Sequence, residues 1–265
     1  MAEDPISLDT QDHLARFTIN RPERLNAFDP DTHIAFSAAL DRFEQDDDLW
    51  VAVLTGAGTR SFCAGRDLKQ LAESNARGPE GAAEDAAKMR KVRRLTDRFD
   101  MTKPIIARLN GHALGGGLEL ALACDIIVAA DHAELGLPEP RRGLIAGAMG
   151  VHRLPRQIPL KVAMGHLLTG RHMTAQRAYE LGLVNEVVPG DQLDQAVDAW
   201  VADILACAPL AVRATKQSAM AGLELTLPEA GGTVFDWERR RRASDDAREG
   251  PRAFAERRPP RWAGR

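Results

Sequence analysis

Apolar positions in the first half of the chain fall into short runs that alternate with amphipathic stretches. His13 to Ile19 predicts a strand, stopped by Arg21-Pro22. Asp31 to Gln45 predicts a helix, because Phe36, Leu40 and Phe43 recur on one face at helical spacing. Trp50 to Thr55 is an apolar run closed by Gly56 and Gly58, the mark of a buried strand. Ser74 to Glu84 is polar and rich in Gly and Ala and predicts a mobile loop, followed by a charged helix over Ala86 to Phe99.

Pro104 to Leu109 predicts a further strand, and Gly115-Gly116-Gly117 opens a helix over Leu118 to Ala123. Asp125 to Ala130 and Glu134 to Leu137 return as β-rich runs. Strands followed by helices argue for α/β layers. After about residue 150 the pattern turns mostly helical. Thr174 is placed to cap a helix that Gly182 ends, and Leu183 to Val188 returns as a strand. Helices are then expected over Asp191 to Cys207, Pro209 to Gly222, Ala230 to Ser244 and Arg248 to Arg257. No low-complexity linker or simple repeat interrupts the 265 residues.

Composition narrows the class. Hydrophobic residues make up 44% and charged residues 28%, the balance of a packed globular protein and not of a disordered chain. The formal net charge of -3 argues against a polyanion binder. Cys63, Cys124 and Cys207 share no C-x-x-C spacing and leave one unpaired in any disulfide scheme, so a reducing, cytoplasmic setting is expected. The opening Met1-Ala2-Glu3-Asp4-Pro5 lacks the basic flank and apolar run of a signal peptide, and no apolar stretch approaches the ~20 residues of a membrane span.

Several chemistries find no motif. The chain has no G-x-x-x-x-G-K-[ST], no G-x-G-x-x-G, no G-x-S-x-G, no H-E-x-x-H and no Cys/His set at zinc spacing. No metal or nicotinamide cofactor is therefore expected. Two segments do carry chemistry. In Leu114-Gly115-Gly116-Gly117-Leu118-Glu119, glycines follow an apolar strand where a helix leaves its first N–H groups unpaired and its dipole positive. Such a place either holds a developing negative oxygen or is a tight turn that needs glycine for packing; the motif alone leaves both open. Ser61-Phe62-Cys63-Ala64-Gly65-Arg66-Asp67-Leu68 also follows an apolar strand and says, by itself, only that a strand ends in a turn.

Together with three further blocks these segments resemble the crotonase (enoyl-CoA hydratase/isomerase) superfamily nearly end to end. The blocks are Ile19-Asn20-Arg21-Pro22-Glu23-Arg24-Leu25-Asn26-Ala27, Ala64 to Leu68, Asn110 to Gly117, Leu137-Pro138-Glu139 with Gly170-Arg171 and Ala178 to Asn185, and Phe254-Ala255-Glu256-Arg257-Arg258. The resemblance implies an α/β crotonase (ClpP-like) spiral of repeated ββα units. It implies a core over residues 1–190 and a C-terminal helical trimerisation region over 191–265, in a homotrimer or a dimer of trimers.

The same resemblance implies that the backbone amides of Arg66 and Gly116 polarise an acyl-CoA thioester carbonyl, a device that binds an enolate more tightly than the substrate. It places the two hydratase acids at Glu119 and Glu139, and a backbone contact to the reacting water at Gly147. CoA is part of the substrate, so no separate cofactor is implied. The CoA-binding positions are Arg24 and Lys69, completed by Phe254 and Arg257 from a C-terminal helix that a neighbouring subunit often supplies. A paired carboxylate suits reversible hydration, since water needs a base and carbon an acid. The expected function is hydration of trans-2-enoyl-CoA. The alternatives are a carnitinyl-CoA-type dehydratase, an isomerase, and, outside catalysis, an acyl-CoA-binding pseudoenzyme.

Two departures from the family pattern stand out. Arg66 occupies a position where many relatives carry alanine; its side chain is placed to meet a polar acyl group, to pair with Asp67 or another acid, or to meet a CoA phosphate. Met149, in Ala146-Gly147-Ala148-Met149-Gly150, either reshapes the acyl pocket or packs in the core. The run Glu238-Arg239-Arg240-Arg241-Arg242 lacks an aromatic platform and wraps round a helix, so a solvated or intersubunit face is expected and not a nucleic-acid site.

Overall fold

In a computed structural model describing residues 4–265, the chain opens with a hairpin that its hydrophobic pattern did not announce. Residues 1–3, part of the segment read above for a signal peptide, lie outside the described residues. Strand β1 (Ile6–Gln11) pairs antiparallel with β2 (Leu14–Ile19). Asp12 and His13 connect them, both at positive φ (45° and 69°), the conformation that matches the right-handed twist of a two-residue hairpin. His13 is thus a turn residue and not the start of a strand.

Helix α1 (Pro30–Gln45) starts at Asp29, whose carboxylate accepts from the Thr32 amide at 2.8 Å. Its buried Phe36 and Phe43 meet Phe17 of β2 edge-on, with ring centroids 5.6 and 5.8 Å apart. The remaining strands come largely in pairs: β3 (Val51–Gly56) with β4 (Ser61–Cys63), β5 (Ile105–Leu109) with β6 (His112–Leu114), and β7 (Ile126–Ala130) with β8 (Glu134–Gly136). The first member of each pair enters a six-stranded sheet of order β1-β2-β3-β5-β7-β10, parallel from β2 onward, with β10 at Glu186–Val188. The second enters a four-stranded sheet of order β4-β6-β8-β9, closed by the antiparallel β9 (Met173–Thr174). Helices follow each pair, which is the repeated ββα spiral expected.

Those helices correct two expectations. Ser74 to Glu84 is not a loop: α2 (Leu68–Ala76) and α3 (Pro79–Met89) meet there across a short turn at Arg77-Gly78. Asp67 caps α2 by accepting from the Lys69 and Gln70 amides, and Pro79 starts α3, so local capping supplied what the polar composition hid. The charged helix expected over Ala86 to Phe99 ends at Met89. The chain beyond it runs irregularly to a single 3-10 turn at Leu95–Asp97, because Leu95, Thr96 and Arg98 are drawn into the core. Arg98 is fully buried and ion-paired with Glu44 and with Asp41 at 2.7 Å.

The rest of the helices are α4 (Gly116–Ala123), α5 (Gly150–Gln157), α6 (Leu160–Thr169), α7 (Ala175–Glu180), α8 (Leu193–Leu205), α9 (Pro209–Gly222), α10 (Leu227–Gly232), α11 (Asp236–Ala243) and α12 (Asp246–Ala255). Thr174 caps α7 as expected. The single helix expected over Ala230 to Ser244 is instead two, broken after Gly231-Gly232, where two glycines remove helix propensity. Strand β3 is buried on both faces, the reason its sequence is a continuous apolar run. One core fills the space between the sheets, α1 and α4, and a second lies where Val51, Val53, Ile106 and Val128 pack on Leu193 and Val197 of α8. No single helix among the described residues is long and apolar enough to cross a membrane.

Candidate active site

Neighbouring strands β4, β6 and β8 point their C-terminal ends at one cavity of about 680 Å³. Two buried asparagines set the loop before β4. Asn26 Nδ2 donates to the carbonyls of Ser61 (2.7 Å) and Ala57 (3.0 Å), and Asn110 Nδ2 donates to those of Gly58 (2.7 Å) and Ser61 (3.2 Å). Beyond β4, the Phe28 amide donates to the Gly65 carbonyl (2.7 Å) and the Asp67 amide to the Phe28 carbonyl (2.8 Å). Arg66 lies between these two bonds, so its own amide is turned away from Phe28 and toward the cavity it lines.

The second amide belongs to Gly116, the first residue of α4, where no intrahelical acceptor exists. Neither the Arg66 nor the Gly116 amide donates to a backbone acceptor among the described residues. The two loops approach so closely that a Cβ on Gly65, at φ 85°, would lie 2.7 Å from the Gly116 nitrogen. A Cβ on Gly117 would lie 1.9 Å from the Cys63 carbonyl oxygen. Glycine is therefore a requirement of close approach here, and the approach is what sets two free N–H groups side by side. The packing reading of the glycine motif therefore holds, and the packing leaves in place the two backbone donors that the oxygen-binding reading calls for.

Glu119 and Glu139 line the same cavity. Glu119 is 4% exposed, so it is no surface charge attracted by a helix dipole. Its Oε1 accepts from the Gly150 amide at 2.8 Å. Burial pushes its pKa up to about 7; the Gly150 and Ala148 amides pull it down, and the Glu139 charge pushes the same way as burial. Glu139 begins a 3-10 turn after β8, over Glu139–Arg142. Burial also raises its pKa, while nearby Arg142 acts against this. Its Oε2 is buried without a partner, and a Cβ on Gly115 would lie 3.1 Å from its Oε1, beside the two free amides. Two carboxyls with raised pKa thus share a cavity with a pair of unpaired backbone amides, the combination of a candidate reactive site.

Gly147 lines the cavity, but its amide donates to the Ile145 carbonyl at 2.8 Å, which leaves only its own carbonyl to meet a water. The amides that the sequence reading missed are those of Ala148 and Gly150, which hold Glu119. Met149 does not line the cavity; it caps α5 at φ 80°, a conformation glycine adopts without strain. Arg66 does not pair with Asp67: that carboxylate meets Arg21 at 3.2 Å, and the Arg66 side chain is left exposed at the cavity. Arg94, Thr96 and Asp97 line the cavity from the segment after α3 and His33 from α1; of these, Thr96, Asp97 and His33 were missed. The run of charge around Arg94 concealed them.

The four expected CoA positions lie elsewhere. Arg24, Lys69, Phe254 and Arg257 are all exposed and none lines the cavity. Lys69 adjoins Leu68, which does line it. Phe254, 87% exposed on α12, has its ring open to solvent in the isolated chain. In α11 the arginine run is internally paired: Glu238 meets Arg241 and Arg242 at 2.7 Å, and Arg240 lies over the Trp237 ring. That arrangement fits a solvated face. Among the described residues no three His, Cys, Asp or Glu side chains group as a metal site.

A family model described as enoyl-CoA hydratase/isomerase matches residues 9–265. The chain is 40% identical to an (E)-benzylidenesuccinyl-CoA hydratase of Thauera aromatica, over 98% of this chain and 99% of that one. It is 40% identical to a carnitinyl-CoA dehydratase of Proteus mirabilis, over 98% of each. Among solved structures, an enoyl-CoA hydratase from Mycobacterium tuberculosis superposes with a TM-score of 0.87 at 40% identity, covering 99% of this chain and 100% of that one.

Proposed function

We propose a function from one premise: the chain belongs to the enoyl-CoA hydratase/isomerase family. It is a hydratase of CoA thioesters, a lyase that adds water reversibly across the double bond of a trans-2-enoyl-CoA. The observation that carries this reading is the meeting of Glu119 and Glu139, both raised in pKa, with the unpaired Arg66 and Gly116 amides in one cavity.

The thioester oxygen accepts from the two amides. As water attacks the β-carbon, the π electrons of the double bond pass to the thioester, and charge grows on that oxygen. Donors fixed before reaction stabilise this charge by ~3–4 kcal/mol each. Glu119, held by amide N–H groups that favour its ionised form, takes the proton from the attacking water. Glu139, whose Oε2 has no donor to stabilise a charge, carries the proton that the α-carbon receives as the enolate collapses. The two carboxyls titrate as a pair, and the reaction moves one proton between them. Run backward, the same groups expel water from a 3-hydroxyacyl-CoA, a direction supported by the carnitinyl-CoA dehydratase relatives.

We assign CoA binding to Arg24 and Lys69 of the same subunit and to Phe254 and Arg257 of a neighbour in a trimer or dimer of trimers. The exposure of the Phe254 ring supports this, since an aromatic side chain left in solvent invites a covering surface. The test of the function is the loss of conjugated-thioester absorbance when the protein meets crotonyl-CoA and longer or polar enoyl-CoA substrates. Rapid loss with one of them is expected. No loss with any, despite CoA binding, refutes the hydratase reading and leaves an isomerase or a non-catalytic binder.

A further inference from the structure

The wall of the cavity formed by the segment after α3, α1 and Arg66 is richer in hydrogen-bond donors than an aliphatic acyl chain needs. Thr96 is 2% exposed, lines the cavity, and its hydroxyl has no partner. Arg94 grips Asp97 with Nε (2.7 Å) and Nη2 (3.1 Å), which fixes its guanidinium and leaves Nη1 free to donate. The Arg66 side chain donates to no acceptor among the described residues. The acids of the same wall are already satisfied. Asp29 accepts from the Thr32 amide and meets Arg21 at 2.9 Å, Asp97 holds Arg94, and Asp85 accepts from Gln70 Nε2 with both oxygens (3.3 and 3.0 Å).

These groups share one neighbourhood. His33, which also lines the cavity, feels Arg94, Asp29, Arg66 and Asp97 together, and burial, the largest influence, lowers its pKa to about 4. It is neutral at ordinary pH and keeps one ring N–H as a further donor. Unused donors facing satisfied acids call for an acceptor-rich group on the ligand. A buried hydroxyl left unpaired by an aliphatic chain is a cost that a polar group removes.

We propose that the acyl group of the substrate carries a carboxylate, seated between Arg66 and Arg94 with the Thr96 hydroxyl as a third donor. The inference rests on the hydratase reading and names the substrate class of that same site: half-thioesters of CoA with unsaturated diacids. The Arg66 amide serves the thioester oxygen while its side chain reads the far carboxylate, so one residue ties activation to selection.

The probes are crotonyl-CoA and a series of trans-2-enoyl-CoA thioesters ending in a carboxylate, from the fumaryl monothioester upward, each paired with its methyl ester. One acid is expected to exceed its own ester in kcat/KM by ~10-fold or more, the effect of one charge-assisted hydrogen bond. In Arg66→Met that acid-to-ester ratio is expected to collapse toward one. In Thr96→Val, which keeps the shape and removes only the hydroxyl, it is expected to fall several-fold. Esters hydrated as well as acids throughout the series, or a ratio untouched by both substitutions, overturn the proposal while the hydratase reading stands. Failure to hydrate any thioester, crotonyl-CoA included, overturns the hydratase reading itself and this proposal with it.

Discussion

Replacing Glu119 by Gln separates catalysis from folding and gives opposite signs for the two. Glutamine keeps the size of the side chain and an oxygen to accept from Gly150, but it neither ionises nor takes a proton from water. Hydration is expected to fall by ~10²–10⁴-fold, the scale of a lost general base, with CoA binding retained. Stability should move the other way above neutral pH. The pKa of Glu119 is raised from 4.5 to about 7, chiefly by burial. The folded state therefore binds this proton more tightly than the unfolded chain. Its stabilising effect is complete below about pH 4.5 and is lost as pH rises to about 7. At ~1.4 kcal/mol per pH unit the ionised carboxylate costs about 3 kcal/mol of folding free energy, of which about 2 kcal/mol develops between about pH 5.5 and 8.5. Losing the second amide contact, from Ala148, takes back about 1 kcal/mol at all pH values. Urea unfolding of both proteins at the two pH values reads the difference directly. The variant should gain about 2 kcal/mol on the parent between them. A gap that does not change with pH refutes the burial of an ionisable carboxyl at this position, and with it the mechanism built on that burial.

Gly65→Ala places a Cβ at φ 85° and 2.7 Å from the Gly116 nitrogen, so the paired amides separate. Hydration of crotonyl-CoA should drop ~10³-fold, beside a thermal-unfolding loss of ~1–2 kcal/mol. Gly150→Ala drives a Cβ to 2.9 Å from Glu119 Oε1 and displaces the carboxylate. Its kcat should fall ~10²-fold with KM nearly constant and with the pH profile moved, whereas an unchanged profile would argue that Gly150 does not hold Glu119. Asn26→Ala leaves the Ser61 and Ala57 carbonyls without one donor each, and is expected to cost ~2–3 kcal/mol in urea unfolding.

Legibility of the chain divided by the range of the forces involved. Helix α1 was plain because Phe36, Leu40 and Phe43 share a face, and β3 was plain because a strand buried on both sides reads as one apolar run. The hairpin turn at Asp12-His13 was hidden because its sequence carries no glycine at either positive-φ position. The α2–α3 pair was hidden because polar helices on a surface differ from loops mainly in their caps. The positions of the two free amides and both glutamates came from resemblance, and the structure supplied their physical reason. What no local pattern encodes is who holds whom across the fold. Arg21 takes Asp67, Gly150 takes Glu119, and Asp97 takes Arg94, at separations along the chain from 3 to 46 residues, and only the last of these is local.

The repeat explains why the site can be assembled at all. Strands β4, β6 and β8 are parallel neighbours, and each contributes at its C-terminal end: β4 leads to the Arg66 amide, β6 to Gly116 and Glu119, β8 to Glu139. Adjacent strands stand ~4.8 Å apart, so successive turns of the spiral deliver two amide donors within reach of one oxygen without any long loop having to be ordered for the purpose. The donors are backbone and are fixed by sheet pairing and by glycines that nothing larger can replace. The acids are side chains placed one turn further on, in α4 and in the 3-10 turn after β8. On the proposed mechanism, charge stabilisation is thereby built into the fold, while proton transfer rests on two replaceable side chains. Substitution at Glu119 or Glu139 should for that reason alter the chemistry with the thioester still bound, and substitution at Gly65 should slow, by the same ~10³-fold, every reaction that passes through the enolate.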